Sequence, residues 1–292
     1  MRKKFIYVLW ALVVGVLLVI ALVFTAIAKG RIGYVPPIEE LENPSLKFAT
    51  EIISDDGKML GTYSLSKENR VFVGYDQLSS NLIRALIATE DERFAEHSGI
   101  DARAFVRALV KRGVMMQKNA GGGSTITQQL AKQFYSPTAD NVMERLLQKP
   151  IEWVIAVQLE RYYTKEEILT MYLNKFDFLN NAVGIKTAAN TYFSKEPKDL
   201  SVEEAATLVG MCKNPSLYNP KRFNERSRGR RNVVLDQMRK AGYLTDAEAD
   251  SLKALPLVLK YRRVDHKEGL ATYFREYLRG VMTAKEPKKS DY

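Results

Sequence analysis

The fourteen residues from Ala88 to Asp101, ATEDERFAEHSGID, hold five carboxylates and one of the two histidines of the chain. Two readings compete for them: a solvated helix end, or a catalytic carboxylate held among polar neighbours. Just upstream, SSNLIRALIATEDE puts Leu82, Ile83, Leu86 and Ile87 on one stripe behind a serine cap, the 3.6-residue period of an amphipathic helix. That helix would end at Glu90 and Asp91. Acids at a helix C-terminus oppose the macrodipole, so their position favours a role beyond stability.

Around this stretch, 292 residues with 46% hydrophobic content suffice for one large domain or two small ones with a proper core. The net charge of +10 and a pI near 9.4 suggest an anionic partner: nucleic acid, an acidic membrane surface or a phosphorylated substrate. One cysteine, Cys212, excludes an intrachain disulfide framework and a cysteine-rich zinc site. Its Val-Gly-Met-Cys-Lys context supplies no adjacent base, so it reads as a small core residue rather than a nucleophile.

The segment from Phe5 to Ala28 carries no charge and follows Arg2, Lys3 and Lys4. As a helix it would extend about 36 Å, enough for a bilayer core of about 30 Å. Ala26-Ile27-Ala28 also fits a small-x-small cleavage site, so a cleaved signal peptide is the alternative. The run is much longer than the usual signal h-region of about 7–15 residues, which favours an uncleaved anchor. Arg2, Lys3 and Lys4 would then stay cytoplasmic and the remainder face outward, although Lys29 and Arg31 weaken that asymmetry.

Residues 29–44, with Pro36, Pro37 and Pro44, read as a linker. Asp56-Gly57 between two apolar-rich runs signals a β-hairpin. Three capping boxes start later helices: Thr164 with Glu167, Ser201 with Glu204, and Thr245 with Glu248. Gly242 suits a C-cap for the helix beginning near Asn224. No internal repeat is visible, and the basic tail Lys285–Tyr292 reads as disordered.

Chemistry is suggested by three further stretches. AGGGSTITQQLAKQF, Ala120–Phe134, feeds a glycine loop into a helix N-terminus, whose free N–H groups favour an anion, and it is not a Walker loop. Ser124, Gln128 and Lys132 recur every four residues, giving either an ordinary capped helix or a polar stripe that grips a phosphate or a sugar. In ERLLQKPIEWVIAVQLERYY, Glu144–Tyr163, Lys149 and Glu152 share a face with Arg145 a turn earlier, as a surface ion pair or a site. Pro150 should kink that helix or begin a new segment. RAFVRALVKRGVMMQK, Arg103–Lys118, reads as a core helix with a basic outer face or as an interfacial membrane helix. The run RSRGRR, Arg226–Arg231, reads as a solvated or membrane-facing patch rather than a nucleic-acid site.

Taken in order, ATEDERFAEHSGID, GGGSTITQQLAKQF, QKPIEWVIAVQLE, ILTMYLN (Ile168–Asn174) and AANTYFSKEPKDLSVEEAATLVGMCKNPSLYNP (Ala188–Pro220) resemble the peptidoglycan glycosyltransferase family. That family comprises the transglycosylase domain of class A penicillin-binding proteins and the monofunctional transglycosylases. The resemblance covers about residues 45–225. It implies a mainly α, lysozyme-like glycosyltransferase domain over 45–250, with a small β-hairpin entry and an N-terminal transmembrane helix in 1–28. It also implies that residues 251–292, with HKEGLATYFREYLRGVM (His266–Met282), resemble the connector toward a missing transpeptidase domain, ending in a disordered tail. The chain would then be the N-terminal part of a bifunctional enzyme, with a natural monofunctional transglycosylase as the alternative.

By the same resemblance, lipid II is polymerised with inversion, releasing undecaprenyl pyrophosphate, in the bacterial cytoplasmic membrane. Glu90 matches the family's base and Asp91 a supporting neighbour. Glu152 matches the second essential carboxylate, acting on the pyrophosphate directly or as ligand of a divalent cation, Mg or Mn, with no organic cofactor. Lys132 and Lys149 match phosphate-binding positions, and Ser124 and Gln128 fall on the substrate-contacting helix. The family's Arg-Lys is here Gln148-Lys149, so Arg145 is the substitute cation. His97 is implied to be structural. Partners implied are lipid II, the growing glycan strand, the membrane and cell-wall synthesis or division proteins, and the antibiotic moenomycin is expected to bind. Ser64-Leu-Ser-Lys67 fits an acyl-enzyme motif, but no Lys-Thr-Gly partner follows it. A lysozyme-like hydrolase is the rival reading, weakened by the anchor and the phosphate-suited lysines.

Overall fold

The computed structural model describes residues 2–42, 50–56, 59–63, 71–110, 123–136, 142–262, 273–274 and 277–278. Several expectations lie outside them: Gly57, Pro44, Ser64–Lys67, the second half of the Arg103–Lys118 run, Gly121 and Gly122, His266 and the tail. The chain divides into two compact units, one formed by 1–45 and 93–168, the other by 46–92 and 169–292.

The first unit begins with α1 (Arg2–Ala28), of which Lys4–Ala28 is long and apolar enough to cross a membrane and is not buried by the protein. Only its last turns meet protein: Ile27 is buried and Phe24 stacks on Trp153 at 6.1 Å. Trp153 belongs to α6 (Val142–Tyr162), which α5 (Ile126–Tyr135) packs along. The short α2 (Ile38–Glu42) also sits on α6. Tyr163 Oη donates to the carbonyl of Leu41 at 2.6 Å, and Tyr135 Oη to that of Glu40 at 3.4 Å. The expected linker is therefore docked as far as Glu42, with Pro36 and Leu41 buried. Gly33 shows how close the approach is, since a Cβ there would run into the Ile151 side chain.

Helix α6 runs without interruption through Pro150, so the expectation of a new segment at that proline is corrected. The proline deprives one carbonyl of its intrahelical donor, but packing against α5, α2 and α1 holds the helix continuous. Helix α4 (Ala102–Leu109) is capped by Asp101, whose Oδ1 accepts from the amide of Ala104 at 2.9 Å. The described half of the amphipathic run bears out neither reading fully: Ala104 is buried, while Phe105, Val106 and Val110 are exposed.

The second unit holds an antiparallel pair, β1 (Thr50–Ile53) and β2 (Met59–Tyr63), registered Thr50 to Tyr63 and Ile52 to Gly61, with an irregularity before Ile53. Its core is built around α9 (Val202–Cys212), buried from Ala205 to Cys212 between α3 (Ser80–Glu90) and α10 (Asn224–Lys240). Helix α7 (Lys165–Lys175) enters this unit at Leu169, and α8 (Ile185–Phe193) and α11 (Asp246–Ala254) complete it. The cap chemistry is visible atom by atom. Ser79 caps α3 through Leu82, the capping box forms at Thr245, and Thr164 pairs reciprocally with Glu167 before α7; at Ser201 only one half of the expected box is made, the Glu204 carboxylate accepting from the Ser201 amide at 2.9 Å. Gly242 follows α10 at φ 76°.

The Arg226–Arg231 run is not wholly a surface patch, which corrects that expectation. Arg231 is 1% exposed and donates to the carbonyls of Lys253, Leu255 and Pro256 at 3.3, 2.7 and 3.4 Å. The guanidinium thereby caps carbonyls at the end of α11 that have no helical donor.

Candidate active site

The site expected from the sequence divides between the two units: Glu90 and Asp91 lie in the second, the other six residues in the first.

In the second unit, Glu90 is the last residue of α3 and half-buried, and Asp91, the C-cap, is buried. Glu90 faces a buried Tyr172 and Cys212. Burial first, and then the Glu90 carboxylate, pushes the Cys212 thiol far above its usual range. Tyr172 is raised too, by burial, by Cys212 and by Glu90. Cys212 is thus an inert core thiol, as its sequence context implied, and the wall behind Glu90 is held in its neutral form. That wall was missed by sequence reasoning, because Tyr172 and Cys212 carry no local signal linking them to Glu90.

In the first unit, the rest of the ATEDERFAEHSGID stretch is scaffold. Arg93 grips Asp101 with two nitrogens at 2.6 and 3.1 Å. Burial pushes the Asp101 carboxyl up, but Arg93, the Ala104 amide and His97 together hold it below its ordinary value of 3.8. The His97 carbonyl accepts from Lys165 Nζ at 2.7 Å, and its ring meets Phe94 edge-on. Gly99, at φ 89°, lies so close to α6 that a Cβ would come within 2.7 Å of the Ala156 carbonyl oxygen. Its own carbonyl accepts from Thr125 Oγ1 at 2.7 Å and Gln128 Nε2 at 3.1 Å. Thr125 in turn caps α5 through the amide of Gln128.

This capped end of α5 carries the candidate binding residues. Ser124 stands just before the cap, and Lys149 Nζ donates to its Oγ at 3.4 Å. The same ammonium lies 2.6 Å from Glu152 Oε2. Ser124, Lys149 and Glu152 are therefore brought together, the carboxylate nearly buried and the lysine side chain 50% exposed. Gln128 points inward rather than along an open stripe. Its amide nitrogen is fixed by Gly99, and its Oε1 is buried without a partner among the described residues. Lys132 is exposed in the last turn of α5, where a cation complements the helix dipole. Arg145 lies on α6 before Lys149, with its side chain outside the described ones. Among the described residues no group of three His, Cys, Asp or Glu side chains could hold a metal ion.

A helix N-terminus, an ammonium and a buried carboxylate around a serine suit an anionic, diphosphate-like group. Comparison with known proteins gives the family. The Transglycosylase family model matches residues 56–239, and the chain belongs to that family, the peptidoglycan glycosyltransferases. Penicillin-binding protein 1A of Vibrio cholerae is 35% identical over 258 residues, 88% of this chain and 30% of that protein. Penicillin-binding protein 1F of Bacillus subtilis is 37% identical over 84% of this chain and 33% of its own. Penicillin-binding protein 2a of Streptococcus pneumoniae is 42% identical over 71% and 27%. The chain thus spans about a third of the length of these relatives.

Proposed function

We propose that the chain polymerises lipid II into glycan strands, outside the cytoplasmic membrane, with its N-terminus inside and α1 as a single-pass anchor. The acceptor's 4-hydroxyl oxygen attacks the anomeric carbon of the lipid-linked donor. The carbon–oxygen bond to the diphosphate breaks, its electron pair leaves on undecaprenyl pyrophosphate, and inversion follows. The hydroxyl proton passes to Glu90, a carboxylate at the partly exposed end of α3, with Asp91 supporting it. Lys149 and Glu152 serve the departing diphosphate, with Ser124 on the substrate and Lys132 and Arg145 as further cations; Gln128, expected on the substrate, is turned inward onto the Gly99 carbonyl and instead supports the capped end of α5.

The observation that carries this reading is the Ser124–Lys149–Glu152 cluster at the capped end of α5. The half-exposed ammonium is offered to an anion while the buried carboxylate fixes it, which costs no reorganisation when charge develops on the leaving group. A divalent cation, Mg or Mn, belongs to the proposal only as a companion of the donor diphosphate. One carboxylate, Glu152, suits an ion held mostly by phosphate oxygens. When bound, such an ion would help neutralise the leaving group.

The test is a polymerisation assay with labelled lipid II and the Glu90→Gln variant. The variant is expected to bind lipid II and keep its fold while forming no chain. A near-normal rate in the variant would refute the base assignment, and wild-type products that never lengthen would sink the polymerase reading in favour of a hydrolase.

A further inference from the structure

Where α1 meets α6, the first unit forms a groove of about 340 Å³ that the proposed reaction does not use. Phe24 and the last turn of α1 form one side; Trp153, Val154, Val157, Gln158 and Arg161 of α6 also line it. On α6, Trp153, Val157 and Arg161 recur every four residues, so one stripe runs from an aromatic ring through an aliphatic wall to a cation. Phe24 stacks on Trp153, and Phe105 meets the same ring edge-on at 4.9 Å. Arg161 is exposed. Gln158 Oε1 is buried with no hydrogen-bond partner among the described residues.

We propose that this groove binds one anionic glycerophospholipid of the outer leaflet, of the phosphatidylglycerol type. The inference rests on the reading that Lys4–Ala28 spans the bilayer. Thr25 and Ala28 belong to the last turns of that span, so the groove is continuous with the edge of the hydrocarbon layer, where aromatic rings such as Trp153 settle. An apolar trough at that depth is filled by an acyl chain, not by water. The phosphate then lies at Arg161, where the charge is complementary and the guanidinium offers a fork of donors. A zwitterionic lipid matches the trough but gives Arg161 a phosphate already neutralised by its own ammonium.

The experiment uses the full chain in nanodiscs of phosphatidylcholine with phosphatidylglycerol of identical acyl chains, and counts lipids retained after release into a native mass spectrometer. Wild type is expected to retain one phosphatidylglycerol in preference to phosphatidylcholine. Arg161→Gln should lower that retention about tenfold, the equivalent of one charge-assisted contact, and Arg161→Lys should restore part of it. Val157→Trp, which fills the trough, should abolish retention of both lipids. Equal retention of phosphatidylglycerol by wild type and Arg161→Gln overturns the proposal, as does the absence of any preference over phosphatidylcholine. Displacement by equimolar undecaprenyl phosphate also overturns it, by identifying the occupant as a polyprenyl tail. Flotation of wild type with vesicles separates the two readings: a chain that fails to float refutes the span and the lipid site together, whereas one that floats without retaining lipid refutes only the site.

Discussion

Replacing Gly99 by alanine tests how the Arg93–Asp101 segment supports the capped end of α5. Three backbone atoms of α6 would lie within 2.9 Å of the new Cβ: the oxygen and carbon of Ala156 and the nitrogen of Val157. None of them is the far end of a flexible side chain, so the loop itself must move. The φ of 89° adds a cost of about 1–2 kcal/mol for any L side chain. Moving the loop also carries away the carbonyl that accepts from Thr125 and Gln128, each bond contributing about 0.5–1.5 kcal/mol net. Together these give a destabilisation of about 2–5 kcal/mol. The measurement is denaturant unfolding of the full chain in detergent, followed through Trp153. Gly229→Ala is the control of opposite sign, because that glycine lies exposed within α10 with nothing within 4 Å of its Cβ, so it should stabilise by about 0.5–1 kcal/mol. A Gly99→Ala midpoint within about 0.5 kcal/mol of wild type would refute the argument, since the close approach to Ala156 would then carry no energetic weight.

Three other substitutions probe separate links. Lys149→Ala should raise the KM for lipid II about tenfold or more while leaving affinity for an analogue without the pyrophosphate unchanged, and equal losses on both ligands would count against a diphosphate role. Asp101→Asn keeps a capping side chain but loses the Arg93 pair, so it should lower stability at neutral pH. Because the folded Asp101 carboxyl sits below its ordinary 3.8, its contribution is complete above that value and disappears as pH falls through the lower folded value. The variant should therefore show a shallower acid loss below about pH 4 in thermal unfolding, and an unchanged acid branch would contradict the assignment. Arg231→Met should cost about 1–3 kcal/mol and speed amide exchange around 253–257, because three carbonyls lose a charged donor; protection equal to wild type would show that the guanidinium does not hold that segment.

What the sequence made legible was local chemistry. Ser79, Thr164 and Thr245 announce helix starts because a side-chain oxygen and an amide three residues on are neighbours in any helix, whatever surrounds them. Lys149 and Glu152 are legible for the same reason, three residues apart on one face. What escaped was fixed by contacts distant in sequence. Tyr163 reaches Leu41 across 122 positions, so the prolines of residues 29–44 suggested a tether where the chain is docked. Arg231 looks like its exposed neighbour Arg226 until the carbonyls of 253–256 fold over it. Ser124 and Gln128 read as partners on one stripe, yet Gly99 turns Gln128 inward and Lys149 comes to Ser124 from another helix.

Those distant contacts also separate two glutamates that sequence treats alike. Glu152 and Glu160 both stand on α6, two turns apart, and both are nearly buried. Glu160 accepts from Thr127 Oγ1 at 2.6 Å and pairs through both oxygens with Lys165, which also caps the His97 carbonyl and lies over the Phe94 ring. That arrangement joins α5, α6 and the first residue of α7 to the segment Phe94–His97, so its charge is neutralised inside the fold. Glu152 meets an ammonium whose other side is open to solvent and which also reaches Ser124 at the mouth of the α5 cap. Burying a carboxylate against a partner so exposed is a poor way to gain stability, because the desolvation is large and the lysine is solvated. It is a good way to hold a cation in place for an incoming anion, and that asymmetry supports assigning the second carboxylate's role to Glu152 and a structural one to Glu160.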